Sequence, residues 1–181
     1  MSHLPIWYLG EVPVEQCDKA FSELMALPPK DATMGKVGES VDHLTRNTTI
    51  RFAPQEHWFG TLMMNYGYLA NKDCNWGWDI NSHEAIQFAE YGAGQHYHWH
   101  TDNFPLSGAQ TDRKITVICL MNDPSEFKGG TLQFRLYQEY TPELKKGSII
   151  SFPSIIEHRV LPIIEGVRYS ATMWISGPRF K

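Results

Sequence analysis

The residues whose types and spacing can do chemistry lie in Tyr91-Gly-Ala-Gly94-Gln-His96-Tyr97-His98-Trp-His100-Thr-Asp102, above all in its last three positions. Side chains on an extended strand repeat every two residues, so His100 and Asp102 project from one face and can reach one ion. An imidazole and a carboxylate from one strand need a further imidazole to complete the two-His, one-carboxylate facial triad that holds Fe(II) with open coordination positions. The distal candidate is His158. It follows an apolar strand, Gly147-Ser-Ile-Ile-Ser-Phe-Pro153, and ten residues beyond it sits Arg168. Arg168, Ser170, Thr172 and Trp174 share a face by the same period of two, so a guanidinium and a hydroxyl can point together into a pocket, a pair suited to a carboxylate. On a regular strand His96 and His98 share the parity of His100, which leaves a different choice of imidazole open. Zinc also accepts two His and one Asp, although closed structural zinc sites take four protein ligands, often Cys.

These residues need a sheet to carry them. Ile6 to Leu9 reads as a short strand; Pro13 opens a helix whose apolar stripe is Val14, Cys17, Phe21 and Leu24, stopped by Pro28-Pro29. Residues 30 to 44 have no period and read as a long loop before a strand at Leu44 to Phe52. Pro54 starts a second helix with an apolar face of Trp58, Leu62, Tyr66 and Leu69, and the two helices are expected to brace one sheet from outside. From Trp76 onward strand follows strand: Ala85 to Tyr91, Gln95 to Thr101, Lys114 to Met121, Thr131 to Tyr137, Ser148 to Phe152, His158 to Ile163, Arg168 to Ser176. Lys114-Ile-Thr-Val-Ile-Cys-Leu-Met lacks alternation and is expected at the sheet centre, buried on both faces. Short strands separated by turn signals indicate antiparallel β structure with helices, as a barrel or sandwich.

With 181 residues, 42% of them apolar and 13% aromatic, the chain fits one globular domain over 1–181. No stretch approaches the roughly 20 apolar residues of a membrane span, and the N-terminus lacks the basic start and apolar run of a signal peptide, so a cytoplasmic protein is expected. Three cysteines without C-x-x-C spacing suggest neither a disulfide framework nor a structural zinc site. A formal charge of −4 without a run of Lys or Arg argues against nucleic acid as partner. There is no internal repeat and no low-complexity segment.

At this spacing the chain resembles the Fe(II)/2-oxoglutarate-dependent oxygenases, and within them the prolyl 4-hydroxylase-like branch that includes bacterial PKHD-type hydroxylases. That branch shows Y-x-x-G-x-x-Y-x-x-H-x-D, which Tyr91, Gly94, Tyr97, His100 and Asp102 match in register. The segment Asn122 to Phe134 with its paired Gly129-Gly130, and the run from His158 to Arg168, resemble the family's second half, so the likeness extends over roughly residues 75 to 178. It implies a double-stranded β-helix, or jelly roll, with helical support in 1–74 and the core in 75–181. It implies His100, Asp102 and His158 as iron ligands, 2-oxoglutarate and O2 as cosubstrates, and ascorbate as an accessory reductant. Arg168, with Ser170, would hold the distal carboxylate of 2-oxoglutarate; Tyr91 and Thr116 join that set, and Tyr97 and Trp174 face the primary substrate. Many prolyl 4-hydroxylases carry Lys where this chain has Arg168, which loosens the tie to the collagen-type subgroup.

The implied reaction is hydroxylation of an unactivated C–H bond, with a prolyl residue of a peptide or protein as acceptor. A free amino acid or other small molecule is the first alternative, and a non-catalytic jelly-roll binding module the second. A free amino acid needs its own charged clamp. Beyond Arg168 the core strands offer only Arg135 and Arg159, without a clear inward direction. Residues 103 to 113 and the loop at 30 to 44 are expected to form lids.

Overall fold

The computed structural model describes residues 5–31, 46–103 and 110–180, so both expected lids fall largely outside the described residues. Its elements run β1 (Tyr8–Glu11), α1 (Val14–Met25), β2 (Lys30–Asp31), β3 (Arg46–Asn47), β4 (Thr49–Phe52), α2 (Trp58–Asp73), β5 (Ser82–His83), β6 (Gln87–Tyr91) and β7 (His96–His100). They continue with β8 (Thr111–Leu120), β9 (Phe127–Gly129), β10 (Leu132–Arg135), β11 (Glu139–Tyr140), β12 (Ser148–Pro153), β13 (Glu157–Val160), β14 (Ile163–Gly166) and β15 (Arg168–Pro178). The major sheet has the order β1-β12-β8-β15-β6-β4-β2, with β5 beside β15. The minor sheet has the order β11-β10-β13-β7-β3, and β9 pairs with β14 in a separate ribbon. This is the jelly roll. The expected division at residue 74 is crossed by the sheets, because β1, β2 and β4 lie in the major sheet and β3 in the minor one.

Alternation along the central strands builds two cores. Ile115, Val117 and Cys119 of β8 and Ala171, Met173 and Ile175 of β15 pack on the helix side. Ile118 of β8 and Ile150 and Phe152 of β12 belong to the second core, with Leu132, Phe134 and Val160 of the minor sheet. Strand β8 is thus buried on both faces between β12 and β15, as its unbroken apolar run predicts.

The helices lie on the outer face of the major sheet, with their faces rotated from the expected ones. In α1 the buried residues are Cys17, Ala20 and Leu24, whereas Val14 is 51% exposed in the first turn. Helix α2 begins at Trp58, not Pro54; His57 Nδ1 accepts the Phe59 N–H at 3.3 Å as its cap. Its buried line is Phe59, Met63, Gly67 and Ala70, while Leu69 is 43% exposed. The shift follows from close approach: a Cβ on Gly67 would lie 2.1 Å from Ile175 Cδ1, so the helix rests on β15 through a residue that carries no hydrophobic signal. Full burial of a side chain such as Phe59 or Met63 contributes roughly 2–3 kcal/mol. Among the described residues no helix is long and apolar enough to cross a membrane.

Candidate active site

Strand β7 aims the chemistry by being irregular. His158 of β13 pairs with His100 and Val160 with Tyr97, so four residues of β7 span what three span on β13. This β-bulge leaves His98 and Trp99 together opposite Arg159 and returns Tyr97 to the face of His100. The Tyr97 and His100 rings accordingly stack, centroids 3.4 Å apart and planes 12° from parallel. The parity expected for a regular strand therefore fails at His96 and His98: His98 is exposed, and neither lines the cavity holding His100. Trp99 lies on the other face, with the Arg135 and Arg159 guanidiniums 4.5 and 4.3 Å from its ring.

His100, Asp102 and His158 converge. Their ligand atoms all lie within 4.8 Å of one another, with Nε2 of His100 3.6 Å from Oδ1 of Asp102 and Nε2 of His158 3.4 Å from Oδ2. The other ring nitrogens fix the tautomers. Nδ1 of His100 is 2.7 Å from the His98 carbonyl oxygen and Nδ1 of His158 is 3.0 Å from that of Ile156. A carbonyl only accepts, so each Nδ1 is the donor there, and Nε2 is the nitrogen each ring turns toward the carboxylate. Two imidazole nitrogens and a carboxylate converging on one point fit a cation, and the mixed nitrogen and oxygen donors suit Fe(II).

The carboxylate is held from behind. The Asp102 N–H donates to the Ser154 carbonyl at 2.9 Å, and the Thr116 hydroxyl donates to Oδ2 at 2.7 Å while lying 3.0 Å from Ser154 Oγ. Thr116 was expected to touch 2-oxoglutarate; its hydroxyl is instead engaged in orienting a candidate ligand. Ser154, which supplies two of these contacts, carries no signal in the sequence.

Burial, and then the neighbouring His158, push His100 down to about 3 from an ordinary value of 6.5. Between these values the unfolded chain binds a proton that the folded chain refuses, so stability falls as pH drops through the window and is unaffected above it. In chelator the urea midpoint should therefore be lower near pH 5 than near pH 7, and His100→Leu should flatten that part of the slope.

Arg168 enters from the opposite end of β15, paired with Tyr91 of β6. It is 2% exposed, donates from Nη1 to Ser170 Oγ at 3.0 Å, and has no carboxylate partner among the described residues. A buried guanidinium without an anion is costly, which suits a site for an incoming carboxylate. Gly130 makes room for it: at φ +64° it adopts a conformation that disfavours other residues, and a Cβ there would press on Ile163 Cδ1 at 2.3 Å and on Arg168 Cδ at 3.0 Å. The second of the paired glycines thus positions the Arg168 stem.

Tyr91, Tyr97, Trp174 and Ser170 line the same cavity as the three donors and Arg168. The Arg113 guanidinium lies 3.8 Å from the Trp174 ring and is held by Glu84 at 2.6 Å. Sequence reading missed a second cavity-lining cation, Arg46 of β3, because a two-residue edge strand after a long loop has no period to reveal it. The expectation that only Arg135 and Arg159 remain beyond Arg168 is therefore corrected. Both of those lie on the outer face, salt-bridged to Glu157 and Glu139.

Comparison with known proteins agrees with this geometry. A family model of the 2OG-Fe(II) oxygenase superfamily matches residues 86–176, half of the chain, and the chain belongs to that superfamily. Iron(II) and 2-oxoglutarate are the metal and cosubstrate of such a family, and the donor set fits them. More narrowly, the chain is similar to PKHD-type hydroxylases. One from Picosynechococcus is 35% identical over 92 residues, covering 50% of this chain and 41% of the relative, so the chain spans less than half the length of the curated relatives it matches. Two solved structures share the fold. The viral collagen prolyl hydroxylase of Paramecium bursaria Chlorella virus-1, a 2OG complex, superposes with TM-score 0.70 at 20% identity over 96% of this chain and 97% of its own. The prolyl-4-hydroxylase of Pseudomonas putida does so with TM-score 0.67 at 19% identity over 97% and 94%.

Proposed function

We propose that this chain is an Fe(II)- and 2-oxoglutarate-dependent hydroxylase whose acceptor is a prolyl residue in a peptide or protein. The observation that carries the reading is that one cavity holds both the convergent His100, Asp102 and His158 donors and the buried, anion-free Arg168. Bound iron would couple oxidative decarboxylation of 2-oxoglutarate, to succinate and CO2, to insertion of one oxygen atom into a C–H bond. The chain's own share is positioning. His100, Asp102 and His158 hold the metal, with Thr116 fixing the carboxylate rotamer. Arg168 receives the distal carboxylate of 2-oxoglutarate through its planar fork, with the Ser170 and Tyr91 hydroxyls beside it. Burial of these groups keeps bulk water from the reacting atoms.

Tyr97 and Trp174 form the aromatic wall that would bound a pyrrolidine ring, and the names of proteins that share the fold support a prolyl acceptor. The three cysteines are all buried free thiols, which supports the cytoplasmic setting. The test is a screen of prolyl peptides for a mass gain of one oxygen, with succinate measured in parallel. Succinate without any peptide separates an enzyme from a binding module. Because Tyr97 is stacked on His100, the cleaner acceptor variant is Trp174→Ala. It should reduce peptide hydroxylation about tenfold or more, a loss of contact worth some 1.4 kcal/mol, and reduce uncoupled succinate formation far less. Equal loss of both would remove Trp174 from the acceptor wall.

A further inference from the structure

The second cation in the cavity needs an occupant. Arg46 is 6% exposed, its Nε has no hydrogen-bond partner, and no carboxylate among the described residues pairs with it. Its guanidinium lies 4.6 Å from the Tyr97 ring centroid, and Nη1 reaches Gln87 Oε1 only at 3.5 Å. Gln87, itself 6% exposed, pairs with Thr172 of β15, four residues from the Arg168–Tyr91 pair, or about 13 Å along the strand. The cavity therefore has a guanidinium at each end. Its lining contains one carboxylate, Asp102, which is turned to the histidines.

We propose that Arg46 and Gln87 form a second anion-binding position, which receives a carboxylate carried by the acceptor itself. The chemical class is an amino-acid unit with its carboxylate free, either alone or at a peptide C-terminus. With Arg168 assigned to 2-oxoglutarate, the free Nε and the long Gln87 contact leave Arg46 donors for a planar carboxylate, while Tyr97 supports the guanidinium face. The Gln87 amide offers N–H donors to the same oxygens. An internal prolyl residue has no anion to offer there. This inference rests on the reading of the site as a 2-oxoglutarate-dependent hydroxylase, and it narrows the acceptor.

The experiment uses protein loaded with Mn(II) and saturating 2-oxoglutarate, with calorimetric titration of N-acetyl amino acids and their C-terminal amides. At least one acid should bind about tenfold or more tightly than its amide, the size of a charge-assisted hydrogen bond. Arg46→Gln should erase that preference, and Arg46→Lys should keep part of it. Gln87→Glu, which supplies Arg46 with an internal carboxylate, should erase it without removing the guanidinium. Affinity for 2-oxoglutarate, measured on each variant, reports folding and should stay within about twofold. An acid preference for a residue other than proline leaves this inference standing and defeats the prolyl acceptor. Equal binding of every acid and amide overturns it. So does a loss of 2-oxoglutarate affinity in Arg46→Gln that is not seen in Gln87→Glu, since Arg46 would then belong to the cosubstrate.

Discussion

Replacing Asp102 by alanine should leave a folded protein that no longer retains iron and whose 2-oxoglutarate turnover falls more than about a hundredfold, since losing even an outer partner of a ligand costs 10–100-fold. Asp102 is the one negative charge in the donor set, and its two oxygens face the two Nε2 atoms at 3.6 and 3.4 Å. Without it, two neutral imidazoles remain as a partial set. His158→Ala and His100→Ala should behave similarly. Thr116→Val, which removes the hydrogen bond to Oδ2 together with the contact to Ser154 Oγ, should weaken metal affinity by roughly ten to a hundredfold and leave the coordination set intact. His98→Ala should retain iron. Iron content by elemental analysis and far-UV circular dichroism on the same samples make the check. Iron retained in Asp102→Ala at wild-type stoichiometry would remove Asp102 from the ligand set.

Arg168→Ala should weaken 2-oxoglutarate binding by roughly thirtyfold or more while iron binding changes little, because losing a buried charged contact costs about 2–5 kcal/mol. Its stem packs against Gly130 and its guanidinium is steadied by Ser170, with no carboxylate among the described residues competing for it. Arg168→Lys should fall between, keeping a charge but losing the parallel pair of N–H donors. Titration of 2-oxoglutarate into metal-loaded protein measures this directly. An unchanged affinity in Arg168→Ala would move the anchor to the other guanidinium lining the cavity, Arg46.

The sequence displayed those parts of the site that follow a regular period. The inward set of β15, from Arg168 to Trp174, was legible because nothing interrupts its alternation, and β8 was legible as a doubly buried strand for the same reason. The bulge in β7 was not, because an inserted residue leaves no mark in composition; only the Y-x-x-H spacing of Tyr97 and His100 carries it, and that reads as a family signature before it reads as geometry. The face of α2 was misread by one position because Gly67 occupies the contact with β15, and hydrophobic periodicity cannot register a residue chosen for its absence of bulk. Arg46 escaped because its position depends on pairing with Tyr97 across the sheet, a long-range contact with no local signal.

The alternation of the major sheet has a practical reach. On β8 and β15 the odd-numbered positions, Ile115, Val117, Ala171, Met173 and Ile175, rest against the helices, while the even-numbered Ile118, Arg168, Ser170 and Trp174 look into the cavity. Robustness and selectivity are thereby written on opposite sides of the same few residues, like two texts on one ribbon. A library varied at Trp174, with Arg168 and Ser170 kept, would explore new acceptors on an undisturbed support, and one varied only at odd positions would tune heat tolerance with the chemistry held constant.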